Sequence, residues 1–235
     1  NCCPQMAQMT ETEKIVESDW APTANRFVAF FDIMGFKDLV ARNEHEKILS
    51  ILNVLSNSRA TLEEKNMTEL QNGLKYGETK SFTFSDSIFF FSKTDSHNDA
   101  LKILADCIYL MKIALENQIP IKGAISFGKI TIDSGNSIYF GQPIIDAYLL
   151  QEDLQLYSVI ADNTFQEKIE SENIGDMNAI FNFYKTPLKS GKANHYILMP
   201  NISLRKKTIE HLQKLYLTVS GKPRQYIDNT IDFIN

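Results

Sequence analysis

The chain has 235 residues, 43% of them hydrophobic and 23% charged, with a net charge of −5. Those values fit a soluble globular protein of one large α/β domain, or a core with a helical appendage. No long basic block is present, which excludes a duplex nucleic-acid binder, because that function needs a basic face to neutralise phosphates.

Residues 1–25 are polar and are expected to be loose. The chain opens Asn1-Cys2-Cys3-Pro4, and the expected native start lies near Met6 or Met9. Arg26–Met34 is almost continuously apolar, the pattern of a strand buried on both faces. It carries Asp32 at its end, followed by Gly35-Phe36, a glycine turn that leads into a helix. Glu44–Leu62 places Ile48, Ile51, Leu52 and Leu55 at helical spacing. Asn66–Glu78 is polar and reads as a loop. Lys80–Phe84 and Ser87–Ser92 are β-rich runs separated by Ser85-Asp86, a tight hairpin.

Asn98–Asn117 reads as a helix with Leu101, Leu104, Ile108, Met111 and Leu115 on one face, ended by Pro120. Ile121–Phe127 is the next expected strand. The order strand, helix, strand, strand, helix, strand predicts a ferredoxin-like α+β fold, an antiparallel sheet with helices on one face. A second hairpin, Lys129–Asp133 and Ser137–Phe140, is expected to turn at Ser134-Gly135-Asn136. Pro143–Asp153 is helical with Pro in its first turn, and Tyr157–Ala161 is a short strand. Phe181–Tyr184 and His195–Met199 read as closing strands around a Lys-rich loop. Ile202–Val219 and Arg224–Ile234 form a helical tail.

The three cysteines, Cys2, Cys3 and Cys107, lack zinc spacing, and adjacent Cys2 and Cys3 are poor disulfide partners. A reducing, cytoplasmic compartment is the expectation. No apolar run spans a bilayer and no signal peptide is visible, so no membrane partner is expected.

Two carboxylates carry the chemistry. Asp32 ends the first strand and Asp86 sits in the turn of the central hairpin. Asp86 alone is a common turn residue, and Asp32 alone suits a helix cap. In a ferredoxin-like sheet, however, the first strand lies beside the second strand of that hairpin, so the two side chains can meet. Converging carboxylates form a divalent-cation site of the magnesium type, completed by substrate phosphates. An apolar strand ending in a charge also needs a compensating partner. The four His show no metal spacing. Cys107 reads as a small buried hydrophobe, and Lys122 either approaches phosphates or flanks the sheet.

Phe30–Phe36, Thr83-Phe84-Ser85-Asp86-Ser87-Ile88, Ile121–Gly128 and Tyr139-Phe140-Gly141-Gln142-Pro143-Ile144-Ile145-Asp146-Ala147-Tyr148 together resemble the class III nucleotidyl cyclase domain. Thr186-Pro187-Leu188-Lys189-Ser190-Gly191 and Ala193-Asn194-His195-Tyr196 extend the resemblance, which runs from about Arg26 to Met199. It is similar to the Pycsar pyrimidine cyclases of anti-phage defence. The resemblance implies a cyclase catalytic domain over 26–200 with a helical extension over 201–235. It implies that Asp32 and Asp86 bind two Mg2+ or Mn2+ ions, with the carbonyl of Ile33 as a backbone ligand. The turn at Gly35 and Phe36 would hold the triphosphate, and Lys189 would bind it, with Lys192 as the alternative. Phe82 and Tyr139 fall at the base-reading positions.

The departures from purine cyclases are specific. Those enzymes carry an Asn and an Arg one helical turn apart, where this chain has Asp146 and Leu150. They read the base with a Lys and an acidic residue, where this chain has Phe82 and Tyr139. The implied activity is conversion of UTP or CTP to the 3′,5′-cyclic monophosphate and pyrophosphate. The alternatives are a purine cyclase or a nucleotide-binding sensor that does not turn substrate over. The resemblance also implies a homodimer with composite sites, and a product that activates a separate effector.

Overall fold

The computed structural model describes residues 20–57, 77–174, 180–198 and 205–235. Strand β1 (Thr23–Ile33) leads through a two-residue turn into α1 (Phe36–Arg42), then α2 (residues 45–57). A hairpin follows, β2 (Thr79–Phe84) and β3 (Ser87–Ser92), then α3 (His97–Glu116) and the long β4 (Ile121–Asp133). Beyond these lie β5 (Ile138–Phe140), α4 (Gln142–Asp153), β6 (Val159–Ala161), α5 (Asn163–Ser171), the hairpin β7 (Phe181–Leu188) and β8 (Gly191–Leu198), and the tail helices α6 (Arg205–Tyr216) and α7 (Lys222–Ile234). Residues 66–76 of the loop expected over Asn66–Glu78 and the last five residues, 58–62, of the helix expected to reach Leu62 lie outside the described residues, as does Met199.

The strands form one sheet in the order β2-β3-β1-β4-β6-β8-β7, with β5 added to β4. Pairing is antiparallel except between β4 and β6, which are parallel. The expected βαββαβ unit is present. Its helices share one face, where Phe27, Ala29, Phe31 and Ile33 of β1 pack with Leu55 of α2 and with Ile103, Cys107 and Leu110 of α3. The opposite face receives the alternate residues of β1, and it is covered by α4 and α7: Phe30 packs with Ala124, Ala147 and Phe233. Period-two alternation therefore divides one central strand between two cores.

Three boundaries differ from the sequence expectation. The strand expected to end at Phe127 continues through Gly128 to Asp133, so one strand serves both β1 and β5. The closing strands reach into the Lys-rich stretch, which forms the β7–β8 ladder from Phe181↔Leu198 to Leu188↔Gly191. Order also begins earlier than Arg26. Trp20 is buried, Thr23 pairs with Thr131, and the wholly buried Arg26 donates to the carbonyls of Ala21, Ser92 and Lys93. Charged donors on backbone carbonyls let an otherwise costly guanidinium sit inside the fold.

Gly123 marks the tightest approach between β4 and β1. A Cβ there would lie 2.7 Å from the Phe30 carbonyl oxygen and 2.7 Å from the Phe31 ring. Because one obstacle is backbone, Gly123→Ala is expected to destabilise the protein by about 2 kcal/mol, read as a lower denaturation midpoint in urea. An unchanged midpoint would show that β1 and β4 can spread.

Candidate active site

Asp32 is the penultimate residue of β1, and its neighbours in the sheet are Ser87 on β3 and Lys122 on β4. The hairpin that carries Asp86 is tied to the same point, because the Ile33 N–H donates to the Asp86 carbonyl at 3.1 Å. The charge of Asp86 therefore acts on the Asp32 carboxylate. Burial, with the charge of Asp86, pushes the Asp32 carboxyl up to about 6, while Lys122 and Lys189 pull it down.

Gly35 follows with φ +70°, a left-handed conformation that a glycine adopts without strain, and it is the N-cap of α1. Nothing lies within 4 Å of where its Cβ would be, so the space over this turn is open. Phe36 begins α1 and packs against the α3-side core.

Two lysines act electrostatically on Asp32. Lys189 sits in the β7–β8 turn, which the end of α4 pins in place. The Lys189 N–H donates to the Asp153 carbonyl at 2.8 Å, and the Ser190 N–H and hydroxyl both donate to the Asp153 carboxylate. The Lys189 ammonium pairs with Glu152 at 3.2 Å. Lys122 is the residue whose role the sequence left open. It is 2% exposed and stands directly across from Asp32 on the same face of the sheet. Its ammonium donates to the carbonyls of Leu154 at 2.7 Å and Glu152 at 3.1 Å. Desolvation, with Lys189 nearby, pulls its pKa down to about 8, against the opposing effect of Asp32. Lys192 stands opposite Pro187 in the β7–β8 ladder and is exposed; the structure does not bring it to this cluster.

Phe82 and Tyr139 do meet. Their rings stack at 5.0 Å, and Tyr139 also stacks on Phe91 at 6.0 Å. Phe82 continues through Phe89 to Phe30, so an aromatic surface runs along the Asp32 face of the sheet. Asp146, where purine cyclases place the Asn, accepts from Gln142 at 2.9 Å. It lines an open cleft of about 510 Å³ with Leu150, Asp153, Asp162, Asn194 and His195. Asp162 is occupied structurally, since it accepts from the Ser126 hydroxyl and caps α5 through the Phe165 N–H.

Among the described residues no group of three or more His, Cys, Asp or Glu could hold a metal ion. A magnesium-type site needs fewer, since one or two carboxylates and substrate phosphates suffice. The paired carboxylates fit such an ion: Asp32 resists ionisation because it is buried beside a second negative charge, which is what a divalent cation relieves.

The fold is that of class III adenylyl and guanylyl cyclase catalytic domains. The guanylyl cyclase Cya2 superimposes with a TM-score of 0.51 at 16% identity, over 75% of this chain and 91% of that one. A dimeric guanylyl cyclase domain of the RhoGC fusion protein from the aquatic fungus Blastocladiella emersonii gives 0.55 at 13% identity, over 77% and 99%. A bacterial light-regulated adenylyl cyclase gives 0.52 at 10% identity, over 83% and 100%. No protein-family model and no curated protein matches the sequence.

The causes of the Asp32 shift predict its response to substitution. In the metal-free protein the carboxyl titrates near 6. Asp86→Asn removes a like charge and should lower that midpoint, whereas Lys122→Met removes an opposite charge and should raise it. Because the folded pKa is raised, the associated stability is present at low pH and is lost as pH rises through about 6. Carbon-13 NMR of the Asp32 carboxyl reads the midpoints; identical values in all three proteins would dissolve the cluster.

Proposed function

We propose that this protein is a nucleotidyl cyclase that converts a pyrimidine nucleoside triphosphate, UTP or CTP, to its 3′,5′-cyclic monophosphate and pyrophosphate. The observation that supports the proposal is Asp32, paired across the ladder with Lys122 and within electrostatic reach of Asp86 and Lys189, at one end of a cyclase-type sheet. Catalysis of this reaction is mostly positioning and charge stabilisation, which such a cluster supplies.

Asp32 and Asp86, with the Ile33 carbonyl, would hold two Mg2+ or Mn2+ ions, which when bound lower the pKa of the attacking ribose hydroxyl and neutralise the leaving phosphates. Lys122 and Lys189 place positive charge beside the triphosphate and steady the pyrophosphate as the bond to the α-phosphorus breaks. Lys189 must first leave Glu152, an exposed pair that costs little to part. The open turn at Gly35 and Phe36 seats the phosphates.

Pyrimidine preference rests on Phe82 and Tyr139. A stacked aromatic pair offers a base a flat apolar surface, and one phenol hydroxyl offers it a hydrogen bond. It does not offer the charged pair with which purine cyclases read adenine. Asp146 and Leu150 likewise replace the Asn and Arg of those enzymes. The working form is a homodimer. Ile145, Tyr148 and Leu149 on α4, Phe140 on β5 and Phe84 on the hairpin expose apolar area, the kind of surface that a second copy buries. The product would act in the cytoplasm as an anti-phage signal to a separate effector. Among the described residues no helix is long and apolar enough to cross a membrane.

The test is incubation of the purified protein with each of the four ribonucleoside triphosphates and manganese, read by mass spectrometry. A cyclic pyrimidine nucleotide is expected from wild type. Its rate of formation should fall by about 1,000-fold or more in Asp32→Ala, with the fold retained. A cyclic purine product would overturn the base assignment. Tight nucleotide binding without pyrophosphate release would replace the enzyme with a sensor, and undiminished turnover by Asp32→Ala would remove the site.

A further inference from the structure

The charge on Lys122 is held almost entirely by neutral groups. The residue is 2% exposed, yet among the described residues it forms no ion pair, although Asp32, Glu152, Asp153 and Lys189 all act on it electrostatically. Two of its three N–H groups go to the Leu154 and Glu152 carbonyls, and its ammonium lies 5.4 Å from the centre of the Tyr226 ring. A buried ammonium is costly unless partnered. Carbonyl dipoles and an aromatic face supply partners without cancelling the charge.

Tyr226 belongs to α7, the last helix of the chain. That helix grips the chain immediately after the carbonyls that hold Lys122. The Asn229 amide donates to the Gln155 carbonyl at 2.7 Å, and the Thr230 hydroxyl oxygen accepts from the Tyr157 N–H at 2.9 Å. Tyr226 stacks on Tyr157 at 5.9 Å, and Phe233 meets Tyr184 edge-on at 5.0 Å. One helix thus supplies the ring over the ammonium and braces Gln155 and Tyr157, the chain that directly follows the Leu154 carbonyl.

We infer that α7 is a working part of the active site, with Tyr226, Asn229 and Thr230 as positioning residues that hold Lys122 uncommitted for the polyphosphate end of the substrate. The tail completes an anion-binding position. A lysine freed from α7 would swing to Asp32 or Glu152 and neutralise itself, and the site would lose a positive charge without losing the residue.

The inference rests on the cyclase reading only for its kinetic arm, so binding is measured separately. Inorganic tripolyphosphate with Mn2+ is titrated calorimetrically into the full chain and into Tyr226→Phe, Tyr226→Leu and Thr230→Val. Tyr226→Phe keeps the ring and should bind as wild type does. Tyr226→Leu should bind about fivefold more weakly, the worth of one cation–π contact. Thr230→Val, nearly isosteric, should weaken binding in the same sense. In a Lys122→Met background, where affinity is already reduced, Tyr226→Leu should have no further effect. With substrate, Tyr226→Leu should lower kcat as well as raise KM, because Lys122 also steadies the leaving pyrophosphate, and Tyr226→Phe should keep both near wild type.

Wild-type affinity in Tyr226→Leu and Thr230→Val would overturn the inference. So would an equal loss from Tyr226→Leu with and without Lys122, or a wild type that does not bind tripolyphosphate. Absence of any cyclic product, with the binding cycle as expected, would end the cyclase reading and leave the role of α7 standing.

Discussion

Everything in this structure hangs on the alternation of β1. The strand lies in the middle of the sheet, and its side chains point by turns to two different cores. The odd positions, Phe27, Ala29, Phe31 and Ile33, are committed to α3. The even positions run Val28, Phe30 and Asp32, so a wholly apolar ridge ends in a carboxylate. Slipping the strand by one residue would bury Asp32 against α3 and turn Phe31 to the α4 and α7 side. The close contact of Gly123 with Phe30 and Phe31 defends that register where the site begins.

The electrostatics follow from that placement. Asp32 gains too little hydration and too much negative company, while Lys122 across the ladder is buried with an intact charge. In many proteins such a pair would collapse into an ion pair. Here α4 intervenes: its last carbonyls take the ammonium, and its side chain Glu152 takes Lys189 instead. The C-terminus of α4, where the helix dipole is negative, thereby organises both lysines.

Much of this was legible in the sequence. The apolar run into Asp32, the hairpin at Ser85-Asp86 and the glycine turn marked the carboxylate site, because each is written in a few consecutive residues. Lys189 was singled out only by the family resemblance, with Lys192 as the alternative; the structure puts Lys189, in the β7–β8 turn, within electrostatic reach of Asp32. Lys122 was only half legible. A lysine before a glycine at a strand start has no fixed surroundings until the β1–β4 register places it opposite Asp32, and that register is a long-range property. The parallel β4–β6 pair and the docking of α7 are equally nonlocal. Trp20 was misleading in the other direction: its polar neighbourhood suggested looseness, but partners far along the chain, Glu78 and Lys80, fix it.

Trp20 is the single tryptophan of the chain and is 9% exposed. Its indole N–H donates to Glu78 at 2.6 Å, and the cations of Arg26 and Lys80 lie over its ring at 4.8 and 4.4 Å. It shares a cluster with Val28, Phe91 and Ile130, on which Phe82 and Tyr139 also pack. The molecule therefore carries its own optical gauge. An indole clamped between charges is sensitive to their displacement, so emission from one residue tracks the aromatic surface of the sheet without a label, remote from the carboxylates whose chemistry it would accompany.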